Sequence, residues 1–288
     1  MRILALAALT ALAACSGAPE PAAPAADARV DHATDLARFA FRDGQWDQAS
    51  RLYATALARA EERDDLPAIA TLSQELAITR LRADDAAGAR DLVLRAEGEL
   101  ARRGRPVSPE MTLTGAFALW LLGEDNAASG RAGDVIADPA SRDATRARAR
   151  YLLGRLAADR GDDAALATIV GAMAAGDAPD LAADRAELEG RLALLRGAPD
   201  AAEARLIAAS ELRREAVNYR GMAEALAEAG AAAFGAGRSA TAADLYLRAG
   251  RSALRAGDER RAGDWLFTAA RLGDASLAAE ARALMAEQ

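Results

Sequence analysis

The sequence predicts an all-α chain: a solenoid of about seven helix pairs, preceded by a signal peptide and an extended linker. Three observations carry this prediction. The body is rich in Ala, Leu, Arg and Glu, strong helix formers whose apolar members recur at spacings of three and four, with no sustained alternation of the kind strands need. Short breaks interrupt it at Asp43-Gly44, Asp84-Asp85, Gly123-Glu124-Asp125, Gly161-Asp162, Gly197-Ala198-Pro199, Gly235-Ala236-Gly237 and Gly273-Asp274. Glycine ends a helix in the left-handed conformation and aspartate caps the next, so each break is a helix-turn-helix signal. Aligned on Gly44, Asp84, Gly123, Gly161, Gly197, Gly237 and Gly273, the breaks lie 40, 39, 38, 36, 40 and 36 residues apart, which is a repeat.

The chain opens with one charge, Arg2, and an uncharged run from Ile3 to Ala14. That run is too short to span a bilayer and has the form of a signal peptide, residues 1–14. Cys15 is the only cysteine, so neither an internal disulfide nor a cysteine-based zinc site is available to it. Leu12-Ala13-Ala14-Cys15 resembles the lipobox of bacterial lipoproteins. The resemblance implies that Cys15 is lipidated on sulfur, becomes the first residue after cleavage and is N-acylated. Several acyl chains would anchor the protein stably. Ser16, in place of an aspartate, points to the periplasmic face of the outer membrane. The competing reading is ordinary cleavage at Ala11-Leu12-Ala13, which would leave a soluble periplasmic protein with an incidental thiol. Residues 15–29 follow as a linker, with Pro19, Pro21 and Pro24 opposing helix. The helical domain is expected over 30–288.

Within that domain, small residues sit five positions after most breaks and seven before them. The later set is Ala49, Ala89, Ala128, Leu166, Ala202, Ala242 and Ala278; the earlier set is Ala37, Ala77, Ala116, Gly154, Gly190, Gly230 and Leu266. They let the two helices of a pair approach closely. The pattern resembles the tetratricopeptide repeat, most clearly in the first unit, where Trp46, Ala49, Tyr53 and Ala56 occupy the family's aromatic and small sites. Most units lack its early tryptophan, mid-helix tyrosine and closing proline, and the period exceeds the usual 34 residues. Near the C-terminus, Gly250, Gly257, Ala262 and Ala269 fit a unit half a repeat out of phase, and Asp258, Ala262, Trp265 and Ala269-Ala270 look like the related Sel1-type repeat. The resemblance implies a right-handed α-solenoid in which each pair buries its apolar face against its neighbours. A continuous coiled coil is the competing fold, and the glycine and proline breaks argue against it.

The chemical inventory is narrow. All 36 basic residues are arginine against 43 acidic ones, giving a net charge of −7. There is no basic stripe for nucleic acid, no lysine for a Schiff base and no Walker loop. His32 is the only histidine and lies where linker meets helix; it reads as a solvated surface residue. Neither a Ser-His or Cys-His pair nor a G-x-S-x-G elbow exists. Acidic pairs such as Glu61-Glu62, Asp64-Asp65, Asp84-Asp85 and Asp162-Asp163 fall in or near turns and read as helix caps. Arg95 with Glu99, and Glu211 and Glu215 near Arg213 and Arg214, read as solvated faces with local pairing. The expectation is a non-enzyme without cofactor.

What remains is a binding surface. In tetratricopeptide solenoids the first helix of each pair forms the inner wall, and the resemblance places groove-facing sites two, three and six residues before each break. In this chain the candidates are Arg38, Phe41 and Arg42, then Arg82, Phe117 and Trp120, then Arg155, joined by Tyr151 ten residues before its break, and Arg191 and Phe234. Arginine interleaved with aromatics suits an extended acidic or amphipathic peptide, through bidentate carboxylate contacts and apolar anchoring. For the aromatics, sealing of contacts between neighbouring pairs is the alternative. The expected function is a lipid-anchored scaffold of the Gram-negative envelope, assisting β-barrel insertion, pilus or secretin assembly, or control of peptidoglycan enzymes. The second reading is a carrier or processing factor for an exported polysaccharide or peptidoglycan, which clustered aromatics without groove arginines would favour.

Overall fold

The computed structural model describes residues 25–173 and 178–286; the signal peptide, Cys15 and most of the linker lie outside them. The described residues form fourteen helices in seven consecutive pairs. They are α1 (Ala28–Arg42), α2 (Trp46–Glu62), α3 (Leu66–Arg82), α4 (Ala86–Arg102), α5 (Pro109–Leu121), α6 (Asp125–Ala137) and α7 (Asp143–Asp159). After these come α8 (Asp163–Ala172), α9 (Pro179–Leu195), α10 (Pro199–Glu215), α11 (Tyr219–Gly235), α12 (Ser239–Arg255), α13 (Glu259–Leu272) and α14 (Ala275–Ala286). No strand occurs among the described residues, and no helix there is long and apolar enough to cross a membrane.

Every turn inside a pair falls at a break read from the sequence. Six of the seven carry one residue in the left-handed region: Gly44, Asp84, Gly123, Gly161, Gly197 and Gly237. Glycine takes that conformation without a Cβ clash, so Asp84, at φ +59°, is the departure. The aspartates next to the turns do cap helices. Asp65 accepts from the Ala68 N–H at 3.1 Å, Asp85 from Gly88 at 2.8 Å and Asp162 from Ala165 at 2.9 Å. The helical body begins slightly earlier than position 30: Asp27 caps α1 by accepting from Arg29 N–H at 2.9 Å and holds Arg59 of α2 by an ion pair of 2.9 Å. His32 is exposed.

The small residues on either side of the breaks form the seams within pairs. Ala37, Ala49, Ala77, Ala89, Ala116 and Ala128 are fully buried, as are Leu166, Ala202, Ala242 and Leu266. At Gly190 a Cβ would stand 2.7 Å from Leu206 Cγ and 3.3 Å from the Ala202 carbonyl oxygen, so α9 and α10 touch backbone to backbone where glycine permits it. Gly154 departs from this use. Its missing Cβ makes room for the Leu188 side chain of α9, in the neighbouring pair.

Pairs stack in chain order, each helix against the next. Contacts of α3 with α5, α5 with α7 and α7 with α9 put the odd-numbered helices on one shared wall. Near the C-terminus α12 instead contacts α14, and Gly250 of α12 meets Leu266 and the Ala262 carbonyl of α13 as Gly190 meets Leu206 and Ala202. Both repeat phases seen in the sequence are therefore present, the second taking over beyond α11.

The stack also curls back on itself. Arg220, at the start of α11, donates to the Arg82 carbonyl at 2.9 Å and to Asp84 Oδ1 at 2.6 Å, a contact between residues 138 and 136 positions apart. Arg261 of α13 approaches Asp84 at 4.0 Å. One superhelical turn thus closes between the α3–α4 turn and the start of α11.

Candidate peptide-binding wall

The shared wall of odd-numbered helices repeats one register position in successive pairs. Phe117, Arg155 and Arg191 each lie six residues before a break, on α5, α7 and α9. Trp120 follows Phe117 by one helical step and meets it edge to face, with ring centroids 6.3 Å apart. The Arg155 guanidinium carbon lies 5.0 Å from the Trp120 ring centroid, a cation–π contact between neighbouring pairs. Phe117 packs against both the α5–α7 cluster around Leu152 and the α7–α9 cluster around Leu188, so it seals an inter-pair contact.

Behind this surface lies a buried polar layer. Tyr151 donates to Glu187 Oε1 at 2.8 Å, and Arg155 donates to both Glu187, at 2.8 Å, and the Tyr151 oxygen, at 2.9 Å. Arg213 of α10 donates to Asp184 at 2.5 Å and reaches Asp180 at 3.4 Å and Glu187 at 3.5 Å. Arg148 of α7 pairs with Asp180 at 3.2 Å and with Asp184 at 3.6 Å. Arg191 lies 3.5 Å from Glu187 and bonds Glu228 of α11. Asp184, Glu187 and Arg213 are almost fully buried, which charges tolerate only when paired. This corrects the sequence reading of Arg213: it is not a solvated residue but a buried link between α9 and α10.

Burial and charge set the protonation of this layer. Burial would raise the Glu187 carboxyl, but Arg155, Arg191 and Arg213 hold it below the usual range. Burial raises Asp184 despite Arg213 and Arg148, and it raises the Tyr151 hydroxyl, with Glu187 adding to the effect. Burial and then the Glu187 charge push Glu228 up to about 7. The folded pKa of Glu228 exceeds its unfolded value, so its contribution to stability is complete below the unfolded pKa and is lost as pH rises through about 7. Solvent reaches roughly a quarter of its side chain (27 % exposed), which discounts the effect to about 2 kcal/mol. Urea unfolding at pH 5 and pH 8 should show wild type losing that much relative to Glu228→Gln. Parallel profiles for the two proteins would contradict it.

The other candidates lie apart from this cluster. Arg38 is half exposed and reaches Glu75 at 3.4 Å, and Phe41 packs edge to face on Trp46 at 5.0 Å. Arg42 is exposed at the end of α1, and Phe234 is 53 % exposed at the end of α11. Arg82 sits at the superhelical seam. Exposed Leu121, Leu194 and Leu195, at the ends of α5 and α9, extend the apolar rim of the wall. Sequence reasoning missed Asp184, Glu187, Glu228 and Arg213.

No family model matches the sequence, and no curated protein matches it. Among solved structures, the chain is similar to a tetratricopeptide repeat protein from Parabacteroides merdae, at 17 % identity over 89 % of this chain and 98 % of that one, with a TM-score of 0.47. It is also similar to the C-terminal part of a TPR repeat-containing protein from Cytophaga hutchinsonii, at 13 % identity, 88 % and 93 % coverage and a TM-score of 0.44. A third is the TPR2AB domain of yeast Sti1 in its pHSP90 complex, at 18 % identity, 89 % and 96 % coverage and a TM-score of 0.36.

Proposed function

We propose that the protein is a non-enzymatic interaction scaffold of the tetratricopeptide type, anchored through Cys15 at the periplasmic face of the outer membrane, that holds a peptide or helix of another envelope protein on its inner wall. The observation that carries this reading is the Phe117–Trp120–Arg155 stack, with Arg191 in the next register position. The partly exposed Phe117 and Trp120 rings give a peptide apolar anchors, and the Arg155 guanidinium, bonded to Glu187, braces the Trp120 ring. Arginine and aromatics alternate here, the arrangement that favours a peptide over a glycan, since sugar stacking needs bare ring faces. Assistance to β-barrel insertion, pilus or secretin assembly, or control of peptidoglycan enzymes are the envelope tasks this reading serves.

Crosslinked membranes test it by affinity isolation with wild type and the Phe117→Ala/Trp120→Ala double variant. The double variant is expected to lose specific partners at least tenfold. Equal recovery of the same partners would contradict the groove. Separately, Cys15→Ser is expected to leave the membrane fraction, and its retention at the outer membrane would contradict the anchor.

A further inference from the structure

The contact that closes the superhelical turn is unlike the contacts between neighbouring pairs. Those are made by buried apolar clusters shared between consecutive helices. Among the described residues no such cluster joins α1–α4 to α11–α14, and no helix of the first group lies along one of the second. The two ends of the turn meet through polar groups instead: Arg220 donates to Asp84 Oδ1 at 2.6 Å and to the Arg82 carbonyl at 2.9 Å. Beside this contact a gap of about 560 Å³ stays open between the α1–α2 and α12–α13 turns, whereas packed interiors hold few voids larger than a water molecule.

Neither partner is favoured by its own helix. Arg220 is the second residue of α11, and a cation in the first turn opposes the helix dipole. Asp84 holds the left-handed position of its turn, where five other pairs use glycine, so an acid is kept where a residue without Cβ would relax the backbone. Arg261, 4.0 Å from Asp84, is bonded to Glu224 and adds only a more distant charge. The Asp84 side chain is 60 % exposed, and an ion pair so open to solvent is weak and screened by salt.

Opening the contact has a geometric consequence. Alternate odd-numbered helices pack together from α3 to α9, while alternate even-numbered ones do so only at α12 and α14. The odd-numbered helices therefore occupy the shorter, concave side, and closing the turn encloses them. Pairs stacked in series bend by small rotations at each interface, so release at the seam extends the solenoid without unfolding any pair.

We propose that Arg220 and Asp84 form an autoinhibitory latch: paired, they hold the superhelical turn shut around the wall of α5, α7 and α9; parted, they let the turn open and admit a partner. The role at the wall rests on the reading of that wall as a binding surface; the latch itself does not.

Distance measurement between spin labels on Gln48→Cys and Arg260→Cys, exposed positions on opposite sides of the gap, tests the latch. The full chain carries Cys15→Ser, so that only the introduced thiols are labelled. With the latch intact, a short distance is expected to dominate at about 20 mM salt, and the longer-distance population to grow at least threefold at about 0.5 M. Asp84→Gly and Arg220→Gln are each expected to show that longer population already at low salt, with helix content by circular dichroism unchanged. Asp64→Gly is the control, because Asp64 is also left-handed but pairs with Arg103 within the first two pairs; it keeps the short distance. A distance unmoved by salt and by both substitutions, a long distance at low salt with the latch intact, or opening by salt that the substitutions do not reproduce would overturn the latch. Affinity isolation from crosslinked membranes, with Cys15 native, reads the role at the wall. Asp84→Gly is expected to recover at least threefold more of the partners that require Phe117 and Trp120, and unchanged recovery would overturn the autoinhibition. The distance measurement contains no partner, so a failed latch and a failed binding wall give different results.

Discussion

Arg213→Ala is expected to cost about 3–5 kcal/mol of stability, the penalty for stripping one partner from a buried ion cluster. The side chain is 5 % exposed and links Asp184, Asp180 and Glu187 of α9 from α10. Its loss leaves Asp184, which is fully buried, with only the 3.6 Å approach of Arg148. The loss is specific to breaking the pair. Exchanging Arg213 and Asp184 together for apolar residues of similar volume should cost less than the single change, because it also removes the desolvated Asp184 carboxylate. Urea unfolding of the single and double variants measures both. A single-variant loss under 1 kcal/mol would show that the cluster does not join α9 to α10.

The second large effect is steric. Gly190→Val should destabilise the chain by about 2–3 kcal/mol, since the first added carbon already falls 2.7 Å from Leu206 Cγ and 3.3 Å from a backbone oxygen. Leu206 is itself fully buried and has no room to retreat. Gly98 of α4 supplies the control: nothing lies within 4 Å of its missing Cβ. Gly98→Ala should therefore gain up to about 1 kcal/mol from helix propensity alone. Opposite signs for the two substitutions, read from urea midpoints at constant slope, are the expected result.

The pairs and their turns were legible because they depend on local chemistry: a left-handed glycine, a capping aspartate, a small residue at each close approach. The buried charges were legible only in part. Tyr151 and Glu187 each lie ten residues before a break, so the register that put Tyr151 on the wall also points to Glu187 as its neighbour. Arg213 hid within the charged run Glu211–Glu215, yet it continues the buried stripe Ala202, Leu206, Ala209 at helical spacing. Extending that stripe by one turn would have turned it inward. The seam had no such signal. It depends on the curvature accumulated over several pairs, which brings Arg220 to Asp84 from 136 residues away. The shift of repeat phase beyond α11 arises because the α12–α13 contact uses the same glycine-to-leucine packing as a true pair, so both registers satisfy the local pattern.

Site-specific photocrosslinking tests the central claim most directly. A photoreactive phenylalanine analogue placed at Leu121, exposed beside Trp120 on the inner rim, leaves Phe117, Trp120 and Arg155 in place. The same analogue at Asn126, exposed on α6, samples the opposite member of the pair. If the inner wall holds a partner, position 121 forms a discrete crosslinked product in intact cells, and the Phe117→Ala/Trp120→Ala background abolishes it, while position 126 forms none. Equal products at both positions, or a product at 121 that survives loss of Phe117 and Trp120, would contradict it.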